Sequence, residues 1–172
     1  MTEKSRSRLA IRHEQPADLA AIFALTETAF RTMPFSDGTE HHLVNRLRSD
    51  GDLTLSLVAE NTDRAIIGHI AFSPVTISDG TQHWYGLGPV SVMPSQQNRG
   101  TGSALVHRGI TEMTRRGARG IILLGNPEYY SRFDFIHDPE LQYPGPPAEY
   151  FQRLVIGGAR PTGTVRYAKA FR

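Results

Sequence analysis

Residues 90–106 read Val-Ser-Val-Met-Pro-Ser-Gln-Gln-Asn-Arg-Gly-Thr-Gly-Ser-Ala-Leu-Val. An alternating apolar run stops at Pro94, and apolar residues at helical spacing begin after Gly102. The stretch therefore reads as the end of a strand, a loop over 94–99 and a helix over about 100–116. Backbone N–H groups at the start of a helix have no intrahelical partner and sit at the positive end of its dipole, so such a junction is an anion site. Gly100 and Gly102 let a phosphate approach the backbone, Arg99 adds a cation and Ser103 a hydroxyl. The expected ligand is a phosphate or pyrophosphate. Two nucleotide patterns are weakened. No Gly-Lys pair exists for a P-loop. The small third residue of a dinucleotide fingerprint is replaced by Leu105, too bulky for close helix–strand packing.

Upstream, residues 84–93 form one longer strand whose Gly86, Gly88 and Pro89 are poor ladder residues, which predicts a bulge or splay. Alternation over 53–59 and 65–72 predicts two more strands, separated by a polar turn at 61–64, with Ser78-Asp79-Gly80 marking the next turn. Residues 8–14 read as the first strand. Pro16 suits the first turn of a helix with Asp18 near its positive end, and Leu19, Ile22, Phe23, Thr26 and Phe30 give that helix an apolar face. Asp37 and Glu40 resemble a capping box opening a second helix, with Leu43, Val44 and Leu47 inward and an end near Gly51.

Downstream, the helix over 100–116 turns Leu105, Val106, Gly109, Ile110 and Met113 inward and ends at Gly117. A buried strand over 120–124, a short helix over 127–131 and a strand over 133–137 follow. Pro139, Pro144, Pro146 and Pro147 make 138–148 a loop, and 151–156 and 164–170 are the last strands. The order β-α-α-β-β-β-α-β-α-β-β-β is mixed α/β with one βαβ crossover at its centre.

The chain has 172 residues, suiting a single domain over 1–172 with residues 1–7 as a flexible polar N-terminus. A 39% hydrophobic share is enough for a core that needs neither metal nor disulfide. The absence of cysteine excludes disulfides, thiolate nucleophiles and Cys-ligated zinc, and is compatible with a cytoplasmic location. No apolar region follows the basic start, and no apolar run approaches the roughly 18 residues of a membrane span, so neither secretion nor a membrane partner is expected. The net charge of +2 arises from scattered, interleaved charges. Arg115, Arg116 and Arg119 stand where a helix ends and cations favour its dipole, which reads as a solvated surface rather than a nucleic-acid interface.

Gln97-x-x-Gly100-x-Gly102, after a strand ending Val90-x-Val92-x-Pro94 and before Ser103-Ala-Leu, resembles the acetyl-CoA signature of the GNAT superfamily of N-acetyltransferases. Gly125-Asn-Pro-Glu-Tyr-Tyr-Ser-Arg-Phe-Asp-Phe135 is similar to that superfamily's Tyr-x-Lys/Arg-x-Gly-Phe segment. It looks closest to a bacterial subgroup carrying Gly-x-Pro-x-Tyr-Tyr-x-Arg-Phe-Gly-Phe. With the element order, the resemblance covers roughly residues 8–170. It implies a mixed, mostly antiparallel central sheet with a splayed central strand and flanking helices. The implied activity is metal-free transfer of an acetyl group from acetyl-CoA to a primary amine of a small molecule or peptide by direct attack. Backbone groups of Val90, Ser91, Val92 and Met93 would hold the pantetheine arm and thioester carbonyl. Gln97, Asn98, Arg99, Gly100, Thr101, Gly102 and Ser103 would wrap the pyrophosphate. Asn126 would lie near the arm, and Tyr130 aligns with the tyrosine that protonates the departing sulfur. The sequence departs from the family twice. Asp134 stands where Gly is usual, which puts the turn before Phe135 in question and raises a charge near the cofactor. Leu87, Gly88 and Pro89 offer no carboxylate base, so the base is unassigned and a water relay stays open. The acceptor amine, acyl length and a homodimer are equally open.

Each candidate also has a plainer reading. Tyr130 could be a packed aromatic beside Tyr129. His13-Glu14 lacks a second histidine for a metal, and the adjacent His41 and His42 are expected to point apart. His69, between apolar strand residues, reads as a core or face histidine, with a base near the amine as its functional alternative. Glu27 and Glu60 suit surface or structural roles better than attraction of a cationic substrate. Phe30, Phe35 and the 139–147 loop either pack or line the acceptor site. No Gly-x-Ser-x-Gly elbow supports a serine hydrolase. The competing function is a non-catalytic acyl-CoA-binding regulatory module on the same fold, supported by the missing strand carboxylate and Asp134. A nucleotide- or nucleic-acid-binding protein is the weaker third reading.

Overall fold

The computed structural model describes residues 9–172, so the expected N-terminal lead-in lies outside the described residues. The strands are β1 (Ala10–His13), β2 (Leu55–Glu60), β3 (Ile66–Ile77), β4 (Trp84–Val92), β5 (Gly120–Leu124), β6 (Leu141–Gln142), β7 (Phe151–Val155) and β8 (Gly163–Tyr167). The helices are α1 (Leu19–Phe30), α2 (Glu40–Asp50), α3 (Thr101–Arg115) and α4 (Pro127–Tyr130). The sheet runs β1-β2-β3-β4-β5-β7, with β8 paired to the far half of β3 and β6 to β8. Pairing is antiparallel except at β4–β5 and β6–β8. This is the mixed, mostly antiparallel α/β architecture expected from the sequence.

The helix α3 crosses from β4 to β5 and lays Leu105, Val106 and Met113 on Leu57, Ile70, Phe72 and Leu87. Gly109 makes the close approach: a Cβ there would lie 2.5 Å from the Phe72 ring. The opposite face of the sheet carries α1 and α2, through Ile22, Val44 and Val58. In α2, Leu43, Val44 and Leu47 are buried, and Gly51 ends the helix with φ of 77°. Asp37 and Glu40 make one half of a capping box, two residues ahead of the N-cap Thr39: Asp37 N donates to Glu40 Oε1 at 3.2 Å, while Asp37 Oδ1 accepts from Thr39 N at 2.9 Å.

Several expectations are corrected. In α1 the buried stripe is Ile22, Leu25, Thr26 and Ala29, because the helix is wedged between the sheet and α2. Phe23 turns toward α2 instead, where its ring meets His41 at 4.8 Å and His42 at 5.2 Å. Those two histidines do not point apart; gathered on Phe23, their rings lie 4.2 Å from each other. Residues 133–137 are not a strand. Phe133 closes a 3-10 turn, Asp134 reverses the chain, and Ile136 makes a single bridge to Arg153. The apolar signal there came from Phe133 and Phe135 entering the core. The sixth strand, β6, falls inside the expected proline loop. The final strand, β8, stops at Tyr167, and residues Lys169–Phe171 form a 3-10 turn. By contrast β3 outruns its expected end at Phe72, because Val75–Ile77 acquire β8 as a new partner.

Candidate active site

The strands β4 and β5 pair at Trp84–Gly120, Tyr85–Ile121 and Gly86–Ile122 only. Beyond Gly86, β4 continues along β3 to Val92 while β5 continues along β7 to Leu124. The two strands part between these partners, and the β3–β4 register shifts between Ile70 and Phe72. The splay expected from Gly86, Gly88 and Pro89 is therefore present. At its apex Gly86 admits the Tyr167 ring, which a Cβ would meet at 2.9 Å.

At the far end of β4 the chain turns into α3. Gly100 adopts a left-handed conformation with φ of 87°, and no side chain caps the helix. Ala104 N, donating to Gly100 O at 3.0 Å, makes the first bond of the helix. The amides of Thr101, Gly102 and Ser103 precede it and face an uncapped, electropositive end. Gln97 Nε2 donates to Val92 O at 3.2 Å, and Asn98 takes φ of 62°, so both shape the loop. Arg99 is exposed. Thr101 is buried, its methyl 3.0 Å from a Cβ position on Gly68, so its side chain serves packing. Met93 N donates to Ile67 O at 2.8 Å and Ser91 Oγ to Thr26 Oγ1 at 3.5 Å; Val90 is partly buried.

Tyr129 is a residue the sequence did not single out for the site. Its hydroxyl lies 3.5 Å from Ser103 Oγ and 3.0 Å from a Cβ position on Gly102, over the first turn of α3. The Arg132 guanidinium stacks 4.4 Å from the centre of its ring. The paired tyrosines were the available sign: Tyr129 reaches α3, and Tyr130 packs on Phe133 and Phe135. Gly125 is required there, since a Cβ would overlap the Tyr130 ring. Burial, with a smaller push from Tyr129, raises the Tyr130 phenol to about 12, so it keeps its proton at neutral pH. Asn126 turns its side chain to Glu128 N at 3.0 Å, capping the short helix that presents both tyrosines. Asp134 takes φ of 69°, the left-handed conformation that Asp tolerates better than most residues, and it is exposed. The usual glycine's turn is preserved, and the extra charge stays in solvent.

Other candidates fall elsewhere. Glu60 is held by Arg12, which also binds Asp18 at 2.7 Å. Glu27 is exposed, and Phe35 is 94% exposed in the connection from α1 to α2. Among the described residues, no three His, Asp or Glu side chains are grouped to hold a metal, and no helix is long and apolar enough to cross a membrane.

Residues 10–137 match the family model of the GNAT acetyltransferase domain. The chain belongs to the GNAT acetyltransferase family. The uncharacterized N-acetyltransferase YhbS of Escherichia coli strain K12 is 33% identical over 169 residues, spanning 95% of this chain and 98% of YhbS. A GNAT family acetyltransferase from Brucella melitensis, crystallised with acetyl-CoA, is 44% identical with a TM-score of 0.85, over 97% of this chain and all of that one. YhbS from Escherichia coli, crystallised with CoA, superposes with a TM-score of 0.88 at 32% identity, over 99% of this chain and 96% of its own.

Proposed function

We propose that this chain is a cytoplasmic, single-domain N-acetyltransferase that moves an acetyl group from acetyl-CoA to a primary amine of a small molecule or peptide by direct attack. One observation carries the reading: β4 parts from β5 after Gly86, and the parted half of β4 runs on into the uncapped start of α3. Its donor set suits a pyrophosphate: the amides of 101–103 stand at the helix start, the hydroxyls of Ser103 and Tyr129 lie 3.5 Å apart over its first turn, and the exposed Arg99 precedes it in the loop. The relatives crystallised with acetyl-CoA and CoA support the same ligand. When bound, acetyl-CoA supplies an activated thioester carbonyl. Backbone groups at 90–93 would align it, since orientation provides much of the rate in such transfers. Tyr130 keeps a proton available for a departing thiolate. Its raised pKa keeps it protonated but makes it a weak acid, so its contribution belongs at the low end for positioned acids. The exposed, well-accommodated Asp134 no longer favours a non-catalytic binding module.

Acetyl-CoA should raise the melting temperature, by the equivalent of about 2.7 kcal/mol at a hundred times its dissociation constant, with ATP and NAD far less effective. An equal shift with ATP would overturn the assignment. CoA release should then appear with one class among amino acids, polyamines, aminoglycosides and peptide N-termini. With that amine, Tyr130→Phe should lower kcat about a hundredfold while acetyl-CoA affinity holds. Turnover within about twofold of the parent, with chemistry rate-limiting, would leave Tyr130 as packing alone.

A further inference from the structure

A phenol serves as an acid only while it is held in one place, and Tyr130 is held against backbone. Its ring lies on Gly125, where a Cβ would come within 2.4 Å of it, and its amide donates to Asn126 O at 3.0 Å. Where Gly125 stands therefore decides where the ring stands. Gly125 is the first residue beyond β5, opposite Tyr150, the last before β7. Its N–H donates to Tyr150 O at 3.0 Å, as a continued β5–β7 ladder requires. Residues so paired in an antiparallel ladder exchange both bonds, so Gly125 O should receive the N–H of Tyr150. It does not. Tyr150 N donates to Pro147 O at 3.1 Å instead, in the 3-10 turn at Ala148–Tyr150. A side chain replaces the missing donor: Gln152 Nε2 donates to Gly125 O at 3.0 Å. A carbonyl oxygen only accepts, so the nitrogen end of the amide is the end that faces it. Gln152 is 2% exposed, and burying its amide costs hydration that an apolar residue would not lose.

The next residue of β7 secures the other end of the same segment. Arg153 exchanges both backbone bonds with Ile136, at 2.8 and 3.1 Å, and its Nε donates to the buried Asp138 Oδ2 at 3.0 Å. Successive residues of β7 thus grip the chain before and after the two tyrosines. We propose that Gln152 is a positioning residue for Tyr130: its amide fixes Gly125, and through Gly125 the ring of the proton donor. The catalytic consequence rests on the acetyltransferase reading above; the hold on the ring does not. Gln152 acts through Gly125 and moves no proton itself. An uncharged amide suits the place. A lysine or arginine could also donate, but it would set a cation near a phenol that must stay protonated and so favour the ionised form.

Gln152→Met keeps the length of the side chain and removes the donor. Tyrosine ring signals in proton–carbon spectra, with those of Tyr130 identified by their loss in Tyr130→Phe, need neither acceptor nor turnover. In Gln152→Met the Tyr130 signals should move, while those of Tyr167, packed with Trp84 and Val165, stay in place. A variant that is merely less stable keeps the parent's shifts in its folded population. With a competent amine, kcat should fall about tenfold while the KM for acetyl-CoA stays within about twofold. That loss should vanish when Tyr130 is already Phe, since the two residues act as one unit. Should Gln152→Met fail to fold, Gln152→Asn, which keeps an amide but draws it back from Gly125 O, carries the same comparisons. Parent-like Tyr130 signals in a folded variant would overturn the proposal, as would an equal kcat loss with and without the Tyr130 hydroxyl. Displaced ring signals beside a fully active Tyr130→Phe would overturn Tyr130 as the acid and still support Gln152 as the residue that holds its ring.

Discussion

Strands β2, β3 and β4 present two faces built from different chemistry. Toward α3 they show Leu57, Ile70, Phe72 and Leu87, packed by Leu105, Val106 and Met113 with a glycine where Phe72 needs room. Toward α1 the same strands bury Ser56, His69, Ser73 and Ser91 beside the apolar Val58, with Thr26 of the helix among them. The first face gains from dispersion and dehydration, and its tolerance is set by shape. The second accepts desolvated hydroxyls and an imidazole, groups that stabilise little unless they are paired. One sheet thus separates a layer selected for packing from a layer whose composition packing alone does not explain.

The contrast can be broken most forcefully at Phe72. Phe72→Ala should cost about 3–5 kcal/mol in denaturant unfolding; a loss no larger than that of a surface substitution would mean that the α3 face is not the main core. Gly109→Ala drives a methyl into the Phe72 ring and should cost about 1–3 kcal/mol, whereas a neutral result would show that α3 can shift away from the sheet. The polar face should instead reveal itself through pH. His69 has a folded pKa near 4, below the unfolded value of about 6.5, so the unfolded chain binds the proton first. Its effect on stability is fully favourable above about 6.5, declines as pH falls at up to about 1.4 kcal/mol per unit, and levels off below about 4. His69→Gln should remove that part of the slope. The smallest effect has the opposite sign. Ser73 Oγ is buried without a partner, so Ser73→Ala should stabilise by up to about 1 kcal/mol, and a clear loss would reveal a hydrogen bond not seen in the structure.

What could be read in advance follows the same division. The loop into α3, the end of α2 at Gly51 and the splay of β4 were legible because glycine and proline constrain the backbone locally. Pairing between distant segments was not. His69 and Ser56 meet because β2 and β3 align in one particular register, which no local pattern specifies. Tyr129 reaches Ser103 because α4 folds back over α3, again a tertiary fact. Phe133 and Phe135 misled in the other direction: their alternation looked like a strand, yet both side chains enter the core from a turn and a single bridge. The Asp134 turn was uncertain because an aspartate at a glycine position signals strain or tolerance equally well, and only the backbone angle separates the two.

The handover along β3 bears on how the chain is made. Phe72 pairs with Leu55 of β2, whereas Val75 pairs with Tyr167 of β8, and Pro74 lies between them. On the ribosome, the far half of β3 emerges long before the segment that will complete its edge. Until β8 follows, a growing chain carries an open strand that neighbouring nascent chains could use as a template. Pro74, with no N–H to give, stands at the root of that edge and interrupts the ladder an intruding strand would need.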